Sequence, residues 1–287
     1  MFDQTLRDIS ELKIQGAVNI AKAALEAIYD QSQKVKTKEE LKENITALEE
    51  ARSTEPALRN ALDLFYTKLQ EDFSNREEVY EELKNHFVEA KKKIIEYGAN
   101  LIQDGMGVYT HCHSSTVTGI IIAAHQQGKK IEVYNTETRP KFQGRITAEE
   151  LAEAGLKVHH MVDSAFHYAL KKADIFLFGA DAVNSYGNVF NKVGTKTFAE
   201  IAHRLDVKVF SCTDSFKYDP ETIYGVPEEI EERDKKEVWK TSNESILIFN
   251  PAFDEVEAEH IDGIISEYGV LSPAEFTERA NNFFKSK

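Results

Sequence analysis

From residue 107 onward the sequence alternates, and this alternation constrains the fold more than any other feature. Apolar, β-branched runs occur at residues 107–111, 131–135, 157–162, 174–178, 207–213 and 245–250. Segments with helical period separate most of them, at 116–127, 164–172 and 195–205. Strands spaced by helices of that length pair in parallel through right-handed crossovers. The expected product is a doubly wound, Rossmann-like parallel sheet. Residues 218–240 interrupt the rhythm with a polar, acidic insertion that reads as a loop or a subunit contact.

The first hundred residues have a different texture. They are rich in Glu, Lys, Leu and Ala, and their apolar positions recur every three or four residues, as in Ile14, Ala17, Ile20, Ala21 and Ala24. Thr37-Lys-Glu-Glu40 is a capping box that opens a helix. This half predicts a bundle of four or five helices. The division expected is therefore an N-terminal helical domain, 1–104, and a Rossmann-like α/β domain, 105–287.

Charge and cysteine content narrow the function. Acidic residues outnumber basic ones by 49 to 35, a formal charge of −14, which disfavours nucleic acid and anionic membranes as partners. The longest apolar run, Gly119 to Ala124, is too short to span a bilayer. The first residues lack a basic region followed by an apolar core, so no secretory signal is expected and the cytoplasm is the expected compartment. The two cysteines, Cys112 and Cys212, are read as free thiols.

In an open parallel sheet, ligands lie beyond the carboxyl ends of the strands. Here almost every strand ends in ionisable or polar side chains: His111-Cys-His-Ser-Ser115, Thr136-Glu-Thr-Arg-Pro140, Gly179-Ala-Asp181 and Thr213-Asp-Ser-Phe-Lys217. An isolated cysteine is usually an inert, buried small side chain. Cys112, however, falls at a strand-to-helix turn, where helix amides are expected to lower its pKa, whereas Cys212 reads as core. Asp181 alone reads as an N-cap or loop aspartate, and in this company as a general acid or base. Lys192 is a surface lysine or, with the helix start that follows, part of an anion site. Together with Lys217, Arg139 and the turn at Ser114, it suggests a ligand with more than one phosphate. His111, Cys112 and His113 raise the alternative of a metal, held with His159 or His160. Adjacent strand residues point to opposite faces and the spacing matches no zinc pattern, so no metal is expected. No Gly-x-Ser-x-Gly elbow, Gly-x-Gly-x-x-Gly or phosphate-binding P-loop occurs, which removes most weight from hydrolases, dinucleotide enzymes and nucleoside-triphosphate enzymes.

Seven short motifs then occur in a telling order. Thr110-His-Cys-His-Ser114, Thr136-Glu-Thr-Arg-Pro140, Val162-Asp-Ser-Ala165, Gly179-Ala-Asp181, Asn191-Lys-Val-Gly-Thr195, Ser215-Phe-Lys217 and Asn250-Pro-Ala-Phe-Asp254 resemble one superfamily. It comprises ribose-1,5-bisphosphate isomerases, methylthioribose-1-phosphate isomerases and translation initiation factor 2B regulatory subunits. Lys13-Ile-Gln-Gly-Ala17 and Glu50-Ala-Arg-Ser-Thr54 extend the resemblance into the helical half. The match is closest to the bisphosphate isomerases. It implies an aldose–ketose isomerase of nucleotide (AMP) salvage that needs no cofactor and assembles as a dimer or hexamer. It also implies Cys112 as proton acceptor and Asp181 as proton donor, with Gly16, Ala17, Arg52, Ser114, Ser115, Asn191, Lys192 and Lys217 holding the phosphorylated ribose. Two departures bear on the substrate: Gln15 stands where the family usually has Arg, and a lysine expected near Ser115 is absent. The alternatives are an isomerase of methylthioribose 1-phosphate or a related sugar 1-phosphate, and a regulatory subunit without catalysis.

Overall fold

The structure is a computed structural model that describes residues 1–35 and 37–285. Five helices come first: α1 (Phe2–Ser10), α2 (Ala17–Ser32), α3 (Lys38–Ala51), α4 (Pro56–Glu71) and α5 (Arg76–Leu101). The capping box acts as its sequence implies, with Thr37 Oγ1 accepting from the Glu40 amide at 3.2 Å. Ile20, Ala24, Ile28, Ile45, Leu62 and Phe65 are all but excluded from solvent and form the core of this half. Burial of that apolar stripe, rather than helix propensity, holds helices of this length together.

Strands and helices then alternate: β1 (Gly107–Thr110), α6 (Ser115–Gln126), β2 (Glu132–Thr136), α7 (Gln143–Glu153), β3 (Val158–Met161), α8 (Phe166–Leu170) and β4 (Ile175–Gly179). They are followed by β5 (Ala182–Val183), β6 (Val189–Lys192), α9 (Thr195–Arg204), β7 (Lys208–Cys212), β8 (Phe253–Val256), β9 (Gly263–Ser266), β10 (Gly269–Leu271) and α10 (Pro273–Lys285). The main sheet has seven strands in the order β10-β9-β7-β4-β1-β2-β3, parallel except for β10. A small antiparallel sheet, β5-β6-β8, stands beside it.

Successive residues of the central strands serve opposite faces. Val108, Ile175, Leu177 and Ile265 pack against α5, α6 and α7, while Tyr109, Phe176, Phe178 and Ile264 pack against α8, α9 and α10. Both faces are covered, which is why these strands read as continuous apolar runs. Cys212, expected in the core, is the last residue of β7 and is buried there.

One expected strand is absent. Residues 245–250 have no regular structure, and Leu247 and Phe249 are largely exposed, at 79% and 77%. The apolar run Ile246 to Phe249 resembled a strand, but no sheet face receives those side chains. The sixth parallel position belongs instead to β9, beside β7, with all four residues buried.

Candidate active site

Strand order reverses between β1 and β4, because the chain runs outward from β1 through β2 to β3 and then returns to β4 on β1's other side. At such a reversal the following loops diverge and leave a crevice. Cys112 lies two residues beyond β1, and Asp181 lies two beyond β4. Both line a cavity of about 300 Å³ at that crevice.

Cys112 is held by its backbone in a left-handed conformation, φ 65°, which costs a non-glycine residue energy and is tolerated where the surroundings fix it. Its amide donates to Thr138 Oγ1 at 2.9 Å, and its carbonyl accepts from Thr147 Oγ1 at 2.9 Å. The thiol is pushed up to about 11 by burial, against the pull of Lys192. This corrects the expectation of a lowered thiol pKa: removal from water outweighs Lys192 and the hydrogen bond from the His113 backbone. Burial favours the protonated thiol and Lys192 favours the thiolate.

Asp181 is also raised, first by burial, while Lys217, Lys192 and Arg52 oppose the shift. Its amide donates to Phe190 O at 2.8 Å, which ties the loop after β4 to the small sheet. Each cation around it is fixed. Lys192 Nζ donates to Ala252 O at 2.9 Å and lies over the Phe253 ring, and Lys217 Nζ donates to Ala180 O at 2.6 Å. Both lysines are almost fully buried, and neither is the surface lysine that a single-residue reading would have it. Asn191 donates to Gly179 O and accepts from the Lys192 amide, locking β6 against the end of β4.

The helical half closes the cavity. Gly16 and Ala17 at the start of α2 line it, as does Arg52 at the end of α3. Arg52 meets Glu231 Oε1 at 2.8 Å and Glu55 Oε1 at 3.5 Å. Glu55 is raised to about 8 by burial and by Asp181. Ser114 caps α6, and Ser115 follows it on the same wall.

Ten of the eleven residues singled out from sequence thus share one cavity. Arg139 does not: its side chain is exposed, and its guanidinium donates to Val238 O at 2.8 Å. The strand end that carries it belongs to β2, one strand away from the crevice. Sequence reading also missed residues that line the cavity, among them Lys22, Glu55, Lys91 and Arg233. A lysine within the small apolar run Ile20-Ala-Lys-Ala-Ala24 was the available signal for Lys22. The others sit on helix faces or in a loop whose approach the linear spacing does not encode.

The histidines weighed as metal ligands are engaged otherwise. His111 bonds Thr136 Oγ1 at 2.9 Å and Val193 O at 3.3 Å, and burial lowers its pKa to about 4. His113 bonds Thr147 Oγ1 at 3.1 Å, His159 stacks on Tyr134 and His160 bonds Asn135 Oδ1 at 2.9 Å.

With this geometry in place, known proteins give it a context. The profile of the initiation factor 2 subunit family matches residues 13–273. A ribose 1,5-bisphosphate isomerase of Methanocaldococcus jannaschii is 36% identical over 282 residues, covering 94% of this chain and 91% of its own. Methylthioribose-1-phosphate isomerase 2 of Pseudothermotoga lettingae is 32% identical, covering 99% and 90%. The crystal structure of translation initiation factor eIF-2B from Pyrococcus horikoshii OT3 superposes with a TM-score of 0.85 at 25% identity, covering 96% of this chain and 98% of that one. The chain belongs to the initiation factor 2 subunit family.

Proposed function

We propose that this protein converts ribose 1,5-bisphosphate to ribulose 1,5-bisphosphate, with Asp181 as acid and Cys112 as base. The enzyme class, a sugar-phosphate isomerase, is that of the relatives similar to nearly the whole chain. The observation that carries the finer reading is the joint placement of Cys112 and Asp181 at the strand reversal, inside a cavity walled by Arg52, Lys192 and Lys217.

A sugar 1-phosphate cannot open its ring as a free aldose does, because its anomeric oxygen is esterified. Asp181, raised by burial, supplies a proton to the ring oxygen as the bond from that oxygen to C1 breaks. Cys112 as thiolate removes the proton from C2, and the electron pair left behind forms the C1–C2 double bond. The C2 hydroxyl returns a proton to Asp181, and the Cys112 thiol delivers its proton to C1, giving the 2-ketose. Both residues end as they began. Lys192, the strongest charge favouring the thiolate, and Lys217, the strongest favouring the Asp181 carboxylate, set the balance between the two.

A role in nucleotide (AMP) salvage and a cytoplasmic location belong to the same proposal, as does self-association. Free Cys112 and Cys212 suit a reducing compartment. Tyr224, Trp239, Leu247 and Phe249 expose apolar surface along one acidic segment, which suits contact with a second copy. Sedimentation velocity showing only monomer would remove that last element.

The central test is direct. Ribose 1,5-bisphosphate and methylthioribose 1-phosphate are offered separately, and ketose formation is followed by NMR. Turnover of the first is expected, with a loss on the order of 1,000-fold in Cys112→Ser and in Asp181→Asn. Turnover of neither sugar sinks the isomerase reading, and turnover surviving both substitutions sinks the mechanism.

A further inference from the structure

The cavity contains a second cationic centre. Lys22 on α2 and Lys91 on α5 face the same space as Gln15 and Ser115. Lys91 Nζ donates to Ser115 Oγ at 3.0 Å, and Lys22 Nζ lies 6.0 Å from the centre of the Phe87 ring, another wall of the cavity. Among the described residues neither lysine makes an ion pair. Glu150 is the carboxylate that acts on Lys91, and it stands 3.7 Å from His113 Nε2.

Apart from Arg233, which pairs with Glu237, the Lys and Arg side chains of the cavity fall into two electrical groups. Asp181 responds to Lys217, Lys192 and Arg52. Lys91 responds to Lys22 and Glu150, and is held below its ordinary value first by burial and then by Lys22. Two half-buried ammonium groups that repel each other across an open cavity are stabilised by an anion placed between them. A ligand with one phosphate satisfies one group only, and a ligand with two satisfies both.

We propose that Lys22 and Lys91, with the Ser115 hydroxyl, form a second phosphate subsite that selects a sugar bisphosphate over a sugar monophosphate. The assignment rests on the isomerase reading, which puts the reacting carbons beside Cys112 and Asp181. It also accounts for the two departures noted in the sequence. Gln15 turns its amide back to Leu12 O at 2.9 Å, and the residue after Ser115 is Thr116 rather than a lysine. The positive charge reaches this region from two helices instead.

Binding decides the matter without turnover. In a Cys112→Ser background, titration calorimetry gives affinities for ribose 1,5-bisphosphate and ribose 1-phosphate. Removing one charge-assisted hydrogen bond at each lysine corresponds to roughly 10-fold or more in affinity. The parent is expected to prefer the bisphosphate by about 100-fold or more, and Lys22→Met with Lys91→Met to reduce that preference to within about 5-fold. Lys91→Arg, which keeps the charge, retains most of it, and circular dichroism verifies folding. A double variant with the parental preference, or a parent with none, overturns the subsite. The two readings fail separately. A lysine-dependent preference without turnover in the wild type sinks the isomerase and leaves the subsite, and turnover with a lysine-independent preference does the reverse.

Discussion

At the scale of single residues, the chemistry depends on a thiol that burial raises and Lys192 draws back down. Alkylation by iodoacetamide reads the thiolate directly. In a Cys212→Ser background, the pH dependence of Cys112 alkylation is expected to have its midpoint near 11. Lys192→Met raises that midpoint further, because the thiolate loses the cation that most favours it. A midpoint near 8 in the parent shows that burial does not govern the group. Thr147 tests positioning. Its hydroxyl donates to the Cys112 carbonyl and meets His113 Nδ1, so Thr147→Val is expected to lower kcat by roughly 10- to 100-fold with KM nearly unchanged. Equal loss in both parameters points to a general disturbance instead. Cys112, Asp181 and Lys217 were legible in the sequence because residues after parallel strands converge at the carboxyl edge, and Lys192, which ends β6 of the small antiparallel sheet, because a helix start follows it. Arg139 follows a strand as well, yet β2 is not at the reversal, and the order of strands in space is not written in their order along the chain.

Among the elements, α7 shows how packing reaches the site. Asn135 on β2 donates to Gly144 O at 2.6 Å and draws the first turn of α7 against the sheet. A Cβ on Gly144 would lie 1.7 Å from the Thr136 carbonyl oxygen, so the helix backbone rests directly on the strand end. Gly144→Ala is therefore expected to destabilise the protein by about 3 kcal/mol or more, and to displace Thr147 from Cys112. Denaturant unfolding checks the first effect, and a wild-type midpoint defeats it. β1 and β4 were evident in the sequence because burial on both faces makes their runs largely apolar, and β7 because Val209 and Phe210 stand together in a β-branched stretch. β9 passed unnoticed because Gly263-Ile-Ile-Ser266 is short and two of its four residues are small. Residues 245–250 misled for the opposite reason, with a strand-like apolar run, Ile246 to Phe249, and no partner face. β5, of two residues, carries no periodicity at all.

At the scale of the whole molecule, glutamates raised by burial set the response to pH. Burial raises Glu267 to about 7, Glu55 to about 8 and Glu228 to about 9. In each case the folded chain holds a proton that the unfolded chain releases near 4.5. Their stabilising effect is complete below 4.5 and is lost as pH rises through 7 to 9. A folded-state value about two pH units above the unfolded one corresponds to about 3 kcal/mol. Tm is thus expected to fall between pH 6 and 9, and Glu267→Gln to flatten the early part of that fall; a Tm that climbs over this range contradicts it. Helix α5 adds a mechanical consequence. Val79, Leu83 and Phe87 sit in the helical core, whereas Ile94 and Ala99 sit under the sheet, and Phe216 reaches from beyond β7 into the helical core. A single rod anchored in both hydrophobic cores transmits loss of order from one to the other, so calorimetric and van't Hoff enthalpies should agree in one transition. The cavity then has no half-melted form in which one wall survives the other.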